Sequence, residues 1–228
     1  MGIITQGRLL ILMRHGNTFE QSDKVTFVGK HTDLPLTSHG RAQAQEMGLA
    51  MLSANFIPKT VFSGALRRQK ETAEIVSACL SNVKGQELAS KRNEALDEID
   101  LGIWENRTRA EIEIRQRAQL SAWELRGEWP DDIFPEQKKD RLQALSIWLE
   151  QVRVELNKGD NVLAVTSNGV LRLIYSILLP DRWESLRESN AVGQCKVGTG
   201  KVCVLQMCEV PEVIGWNLSS EQFKESLR

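Results

Sequence analysis

Histidine and cysteine are scarce in this chain: three of one and four of the other in 228 residues. The cysteines, Cys79, Cys195, Cys203 and Cys208, form no CxxC pair and have no histidine beside them, which argues against a zinc site or a disulfide framework. They read as buried, reduced thiols of a cytoplasmic protein. No sign of charge dominates, with 29 basic against 30 acidic residues and a net charge of −1. Nothing global therefore favours nucleic acid or an anionic membrane, and any anion site must be local. Long hydrophobic runs are also missing. The amino-terminal stretch MGIITQGRLLILMRHG breaks at Arg14 and His15, too early for a signal-peptide core or a membrane span. With no repeat, low-complexity tract or linker, residues 1–228 are expected to form a single domain.

What is present is an alternation. Short apolar runs at 8–13 (RLLILM), 60–63 (TVFS), 161–166 (NVLAVT) and 202–207 (VCVLQM) read as buried strands. Between them lie helix-like stretches at about 38–52, 66–80, 108–126 and 139–156. The pattern implies a mainly parallel sheet covered on both faces, a three-layer α/β/α sandwich. The charged, proline-broken part between 107 and 157 reads as a helical cap, its 107–138 portion over the pocket. The polar tail NLSSEQFKESLR reads as a frayed helix.

Three strand–turn segments carry candidate chemistry. LILMRHGNT at 10–18 delivers Arg14 and His15 to a sheet edge, with Gly16 easing the turn. VFSGALRR at 61–68 places Arg67 and Arg68 in the first turn of a helix, where cations are disfavoured unless an anion sits nearby. VLAVTSNGVLRLI at 162–174 ends a strand in a serine and an asparagine, at the edge where open α/β sheets bind ligands.

Together these segments resemble the histidine phosphatase superfamily, of phosphoglycerate mutase-like fold. Arg14-His15-Gly16 with Thr18 is similar to its RHGxT motif, and DLPLTSHGRAQA at 33–44 to its D-x-P-L-T-x-x-G-x-x-Q-A stretch. Ser63, Leu66, Arg68, Thr72 and Ala73 match S-x-x-L-x-R-x-x-x-T-A, and EALDEIDLGIWENRT at 94–108 resembles the region of the acidic proton donor, especially in fructose-2,6-bisphosphatases. The resemblance implies a metal- and cofactor-independent phosphomonoesterase acting on a small phosphate ester. His15 would be the nucleophile, Arg14 and Arg68 the phosphate grips, and Glu98 the acid and then base. A neutral imidazole suits nucleophilic attack, guanidinium forks suit phosphate oxygens, and the acid needs burial or a facing phosphate to hold its proton. Asn17, Thr18 and His31 are further candidates near the phosphate.

The chain departs from that pattern at several places. The second catalytic histidine falls on Ser167 when the strand and Arg172 are aligned. Ser167 and Asn168 are then expected either to cap the following helix or to donate to phosphate in its place. Glu71 replaces a glutamine, Asn106 replaces a glycine, and IFPEQKKDR stands where the family carries Gly-Glu-Ser. The E-S-x-W-N sequence of the mutases is absent, which makes a phosphoglycerate-type mutase the lesser enzyme reading. A binding protein that holds a phosphoester without turnover is the other alternative. The substrate and the oligomeric state are open at this level.

Overall fold

Every residue of the run Leu9–Met13 is buried, because the strand it forms lies at the centre of a sheet covered on both faces. The computed structural model describes residues 8–81 and 88–227. Its six strands are β1 (Leu9–Arg14), β2 (Thr60–Ser63), β3 (Ser90–Arg92), β4 (Val162–Thr166), β5 (Val202–Gln206) and β6 (Glu212–Leu218). They lie in the order β3-β2-β4-β1-β5-β6. β1, β2, β3 and β4 run parallel, while β5 and β6 pair antiparallel at one side.

Helices α1 (Ser38–Ser53), α2 (Arg67–Ser81) and α7 (Ser220–Ser226) cover one face. Their residues Met47, Met51, Val76 and Phe223 pack with Leu9, Ile11 and Met13 of β1. Helices α3 (Arg109–Arg126), α4 (Lys138–Asn157), α5 (Asn168–Leu178) and α6 (Pro180–Glu188) lie on the other side, where Trp104, Trp148 and Phe134 meet Leu10 and Leu12. The strand's period of two thus divides one apolar run between two cores. This is the expected α/β/α sandwich, and among the described residues no helix is long and apolar enough to cross a membrane.

Three expectations need correction. The strands β3 and β6 were not expected: β3 has no apolar run, and the apolar part of β6 is the short Val213-Ile214 pair followed by Gly215 and Trp216. β6 is only half-buried at the sheet edge, and β3 has exposed Lys91 and Arg92. The tail is not frayed: Ser219 and Gln222 form a capping box on α7, and buried Phe223 meets Phe56 edge-on at 6.1 Å. Of the four cysteines, Cys195 and Cys203 are buried, but Cys79 is intermediate and Cys208 exposed.

Register positions the site. Arg14 pairs with Thr166, and Met13 and Ser63 flank Val165 from either side. The carboxyl ends of β1, β4 and β2 are therefore flush, and the turns that follow them open on the same edge. Over this edge stands α3, started by a Thr108–Glu111 capping box and ended by left-handed Gly127. Its Trp123 joins Trp129 and Phe134 in mutual edge-to-face contact, which ties the proline-broken segment down onto the core.

Candidate active site

The turn after β1 is held from three sides. His15 N–H continues the ladder to Thr166 O at 3.0 Å. Gly16 N–H donates to Thr72 Oγ1 at 3.0 Å, and that hydroxyl donates to Arg68 O at 2.7 Å. On the third side α1 arrives end-on. Thr37 caps it by accepting from Gly40 N–H, and the Thr37 N–H donates to Asn17 O. A Cβ on Gly16 would lie 2.3 Å from Gly40 O, and one on Gly40 would lie 2.2 Å from Asn17 O. Both glycines are required by this backbone-to-backbone approach.

The turn fixes the chemistry of His15. Its Nδ1 lies 2.8 Å from Gly16 O, and a carbonyl only accepts, so Nδ1 carries the proton and Nε2 keeps its lone pair. Burial, then the nearby Arg14 and Arg68, hold the imidazole pKa well below its ordinary value, against the raising effect of the Gly16 carbonyl. His15 is thus a neutral, oriented base in a cationic setting.

Arg14 and Arg68 line the same cavity, of about 570 Å³, as His15 and Glu98. Arg14 spends Nη1 on Val197 O at 2.7 Å and, among the described residues, forms no close ion pair, Glu98 acting on it only at longer range. Arg68 is held by Thr32 O and, through Nη2, lies 3.5 Å from Glu98 Oε2. The Nε groups of both arginines are buried without a partner. Such donors are costly to leave unpaired and suit a ligand oxygen. Glu98 itself is nearly buried and accepts the Ile99 N–H at 3.0 Å through Oε1, which leaves Oε2 toward Arg68. Gly169, at the start of α5, packs under it: a Cβ there would meet Ile99 Cδ1 at 2.7 Å.

The turn after β4 is built differently. Ser167 is fully buried and makes no side-chain cap bond; its Oγ accepts from Gln69 Nε2 at 3.0 Å. Gln69, also fully buried, reaches Leu96 O at 3.1 Å with the same amide and accepts the Leu66 N–H. Ser167 is the N-cap residue of α5 by position, but its hydroxyl makes no cap bond and the residue is not among those that line the cavity. Asn168 does line the cavity, but its Oδ1 is taken by the Val197 N–H at 2.8 Å, leaving Nδ2 as the donor it can offer.

The remaining candidates divide. Asn17 and Thr18 line the cavity. His31 does not: its exposed ring lies 3.0 Å from Asp100 Oδ2, away from the residues that line the cavity. Arg67 is exposed and faces Glu71, and its N–H donates to Asp33, so a protein carboxylate already meets the helix start. Two of the positions at which the sequence departs from the expected motif have plain local settings. Asn106 adopts φ 62°, the left-handed region glycine favours, and Glu71 accepts from Leu36 N–H and Arg41.

Sequence reasoning assigned no role to Arg172, Trp123 or Lys196, all of which line the cavity. Arg172 is buried, stacks 4.4 Å from the Trp123 ring centroid and donates to Trp123 O. Among the described residues it forms no close ion pair, Glu124 acting on it only at longer range, its Nε is unpaired, and burial lowers its pKa to about 10. A lone arginine inside the apolar helix VLRLI was the available signal.

Comparison with known proteins agrees with this geometry. The family model of the histidine phosphatase superfamily (branch 1) matches residues 10–202. A fructose-2,6-bisphosphatase of Saccharomyces cerevisiae is 28% identical over 190 residues, covering 78% of this chain and 36% of the yeast protein, so the chain spans about a third of that relative. A 2,3-bisphosphoglycerate-dependent phosphoglycerate mutase of Parvibaculum lavamentivorans is 27% identical over 165 residues, covering 72% and 76%. Among solved structures, a mycobacterial glucosyl-3-phosphoglycerate phosphatase with inorganic phosphate superposes with TM-score 0.75 at 21% identity, covering 94% of this chain and 99% of that one. The alpha-ribazole phosphatase of Shigella flexneri gives 0.69 at 24%, covering 92% and 96%. These last two establish the shared phosphoglycerate mutase-like fold.

Proposed function

Because the chain belongs to the histidine phosphatase superfamily, branch 1, we propose that it hydrolyses a small phosphomonoester through a phosphohistidine on His15. The observation that carries this reading is the Nδ1 contact of His15 with Gly16 O, which leaves Nε2 free to attack phosphorus. As the P–N bond forms and the P–O bond breaks, Glu98 gives its proton to the leaving oxygen. It then takes a proton from water, whose oxygen attacks phosphorus and releases His15. Arg14 and Arg68 neutralise the equatorial oxygens throughout. These steps route no electron pair or proton through a metal or cofactor.

Arg172 and exposed Lys196 on the cavity wall favour a leaving group with a second acidic function. Three of the relatives' names agree, since bisphosphates and phosphoglycerates each carry one, while that of the alpha-ribazole phosphatase does not. Arg172→Ala is then expected to raise KM for doubly acidic esters and to spare p-nitrophenyl phosphate.

Rapid-quench labelling with a ³²P-phosphoester tests the central claim. The protein should carry an acid-labile, alkali-stable phosphoryl group, absent from His15→Ala, and turnover in EDTA should be unchanged. Full turnover by His15→Ala would remove the nucleophile from the mechanism. Phosphoester binding with no phosphate release would instead assign a protein that holds its ligand uncut, a reading that the loss of histidine at Ser167 keeps in view.

A further inference from the structure

We propose that Arg141, which does not line the cavity, is a positioning residue for Glu98; this rests on the reading of Glu98 as the general acid. Arg141 projects from the first turn of α4 and is 5% exposed. Its guanidinium collects main-chain oxygens from the turn that bears the acid. Nη1 donates to Asp97 O at 3.0 Å, with longer contacts to Ala95 O (3.4 Å) and Glu94 O (3.5 Å), and Nη2 donates to Glu98 O at 3.4 Å. Leu96 O, the one carbonyl Arg141 leaves out, accepts from Thr166 Oγ1 at 2.7 Å and Gln69 Nε2. Each carbonyl from Glu94 to Glu98 is thus met by a donor, on one side from Thr166 at the end of β4 and Gln69 of α2 and on the other from Arg141.

The fork is itself oriented. Glu136 accepts from Nη2 at 2.9 Å and its other carboxylate oxygen lies 2.6 Å from Nε without a hydrogen bond there, an ion pair that ties the guanidinium to the segment ahead of α4. A proton donor must sit within a few tenths of an ångström of its acceptor to act in the transition state. Glu98 sits on a short turn and not on a regular element, so its placement depends on this clamp. Arg141 comes from the segment where the chain departs from the expected Gly-Glu-Ser sequence. That segment contributes here through Glu136 and Arg141, by way of the acid's main chain.

A merely structural arginine and a positioning one separate by leaving group. An alkoxide must be protonated as it departs, whereas p-nitrophenolate leaves without help. The values of kcat/KM for glycerol 2-phosphate and for p-nitrophenyl phosphate report phosphorylation of His15 alone, and their ratio is independent of the folded fraction of a sample. In Glu98→Gln the alkyl ester should lose about 10²- to 10⁴-fold and the aryl ester far less. In Arg141→Met the alkyl ester should lose about tenfold or more with the aryl ester within about threefold, and Arg141→Met added to Glu98→Gln should produce no further selective loss. Glu136→Gln, which keeps the cation and loosens the fork, should move the ratio the same way by less. Parallel losses on both esters in Arg141→Met and Glu136→Gln would overturn the proposal while leaving Glu98 as the acid. An unchanged ratio in Glu98→Gln would overturn the acid assignment, and the positioning role with it.

Discussion

Two turns at the ends of adjacent parallel strands have opposite fates. After β1 the chain turns through Gly16, pressed against Gly40, and presents His15 to the cavity. After β4 it turns through Ser167, whose side chain points away and is tied to Gln69. Both are buried and both end a strand in the same register. What distinguishes them is the partner behind the turn. A glycine leaves room for a backbone to brace the nucleophile from outside, while a glutamine fills the space behind the serine and closes it. Ser167 is thus half of a two-residue packing arrangement.

The sharpest way to break the first turn is Gly16→Ala. Its Cβ would meet a main-chain oxygen at 2.3 Å, and α1 must shift to admit it. We expect a loss of about 3 kcal/mol or more, at the upper end of overpacking costs, with turnover below detection. A thermal melt and phosphate release measure both. Near-normal stability would mean that the α1 contact is not the brace.

The second turn should respond to paired changes. Ser167→His alone forces an imidazole against Gln69 and should cost about 1–3 kcal/mol with no gain in activity. Gln69→Ala alone empties the space and strands the Ser167 hydroxyl, at a similar cost of about 1–3 kcal/mol. Combined, they should recover most of the stability, because the ring fills the space the amide leaves, and phosphate release should stay near the parent's, since neither side chain lines the cavity. Strict additivity of the two stability losses would show that Gln69 and Ser167 are independent.

Asn168 borders the two turns and should give a smaller effect. Asn168→Ala frees the Val197 N–H, adjacent to the carbonyl that anchors Arg14. The expected result is a loss of about 1 kcal/mol and a rise in KM with kcat largely kept. A fall in kcat with KM unchanged would place Asn168 in the transition state instead.

Sequence gives different access to the two turns. His15, Arg14, Arg68 and Glu98 lie in stretches whose spacing resembles a known family, and β1 and β4 announce themselves by unbroken apolar runs that only doubly covered strands require. The plug could not be read in this way. Gln69 and Ser167 are 98 positions apart, and neither type at its place signals burial. Arg141 is equally silent, one cation in the string KKDR, since only the fold separates the member that turns inward from those that face water. β6 was missed because a half-buried edge strand need not be apolar throughout, and α7 reads as frayed because a short polar helix can rest on one buried ring, Phe223.

The smallest expected effect concerns protonation of the nucleophile. His15 has its pKa lowered below the value of about 6.5 it takes in an unfolded chain, chiefly by burial and then by Arg14 and Arg68. Between the folded and unfolded values the unfolded state binds more protons, by at most about one, so stability rises with pH across that window and is complete above it. On acidification below about pH 6.5 the parent should therefore lose stability relative to His15→Gln, which has no such proton to take up. Denaturant midpoints of the two proteins between about pH 4.5 and 7.5 measure the difference. Parallel curves would mean that the ring takes up its proton in the fold as readily as outside it, and that the braced turn orients His15 without keeping it neutral. A divergence confined to the acid side would separate the turns once more, since the Ser167–Gln69 pair has no ionisable group and cannot contribute to it.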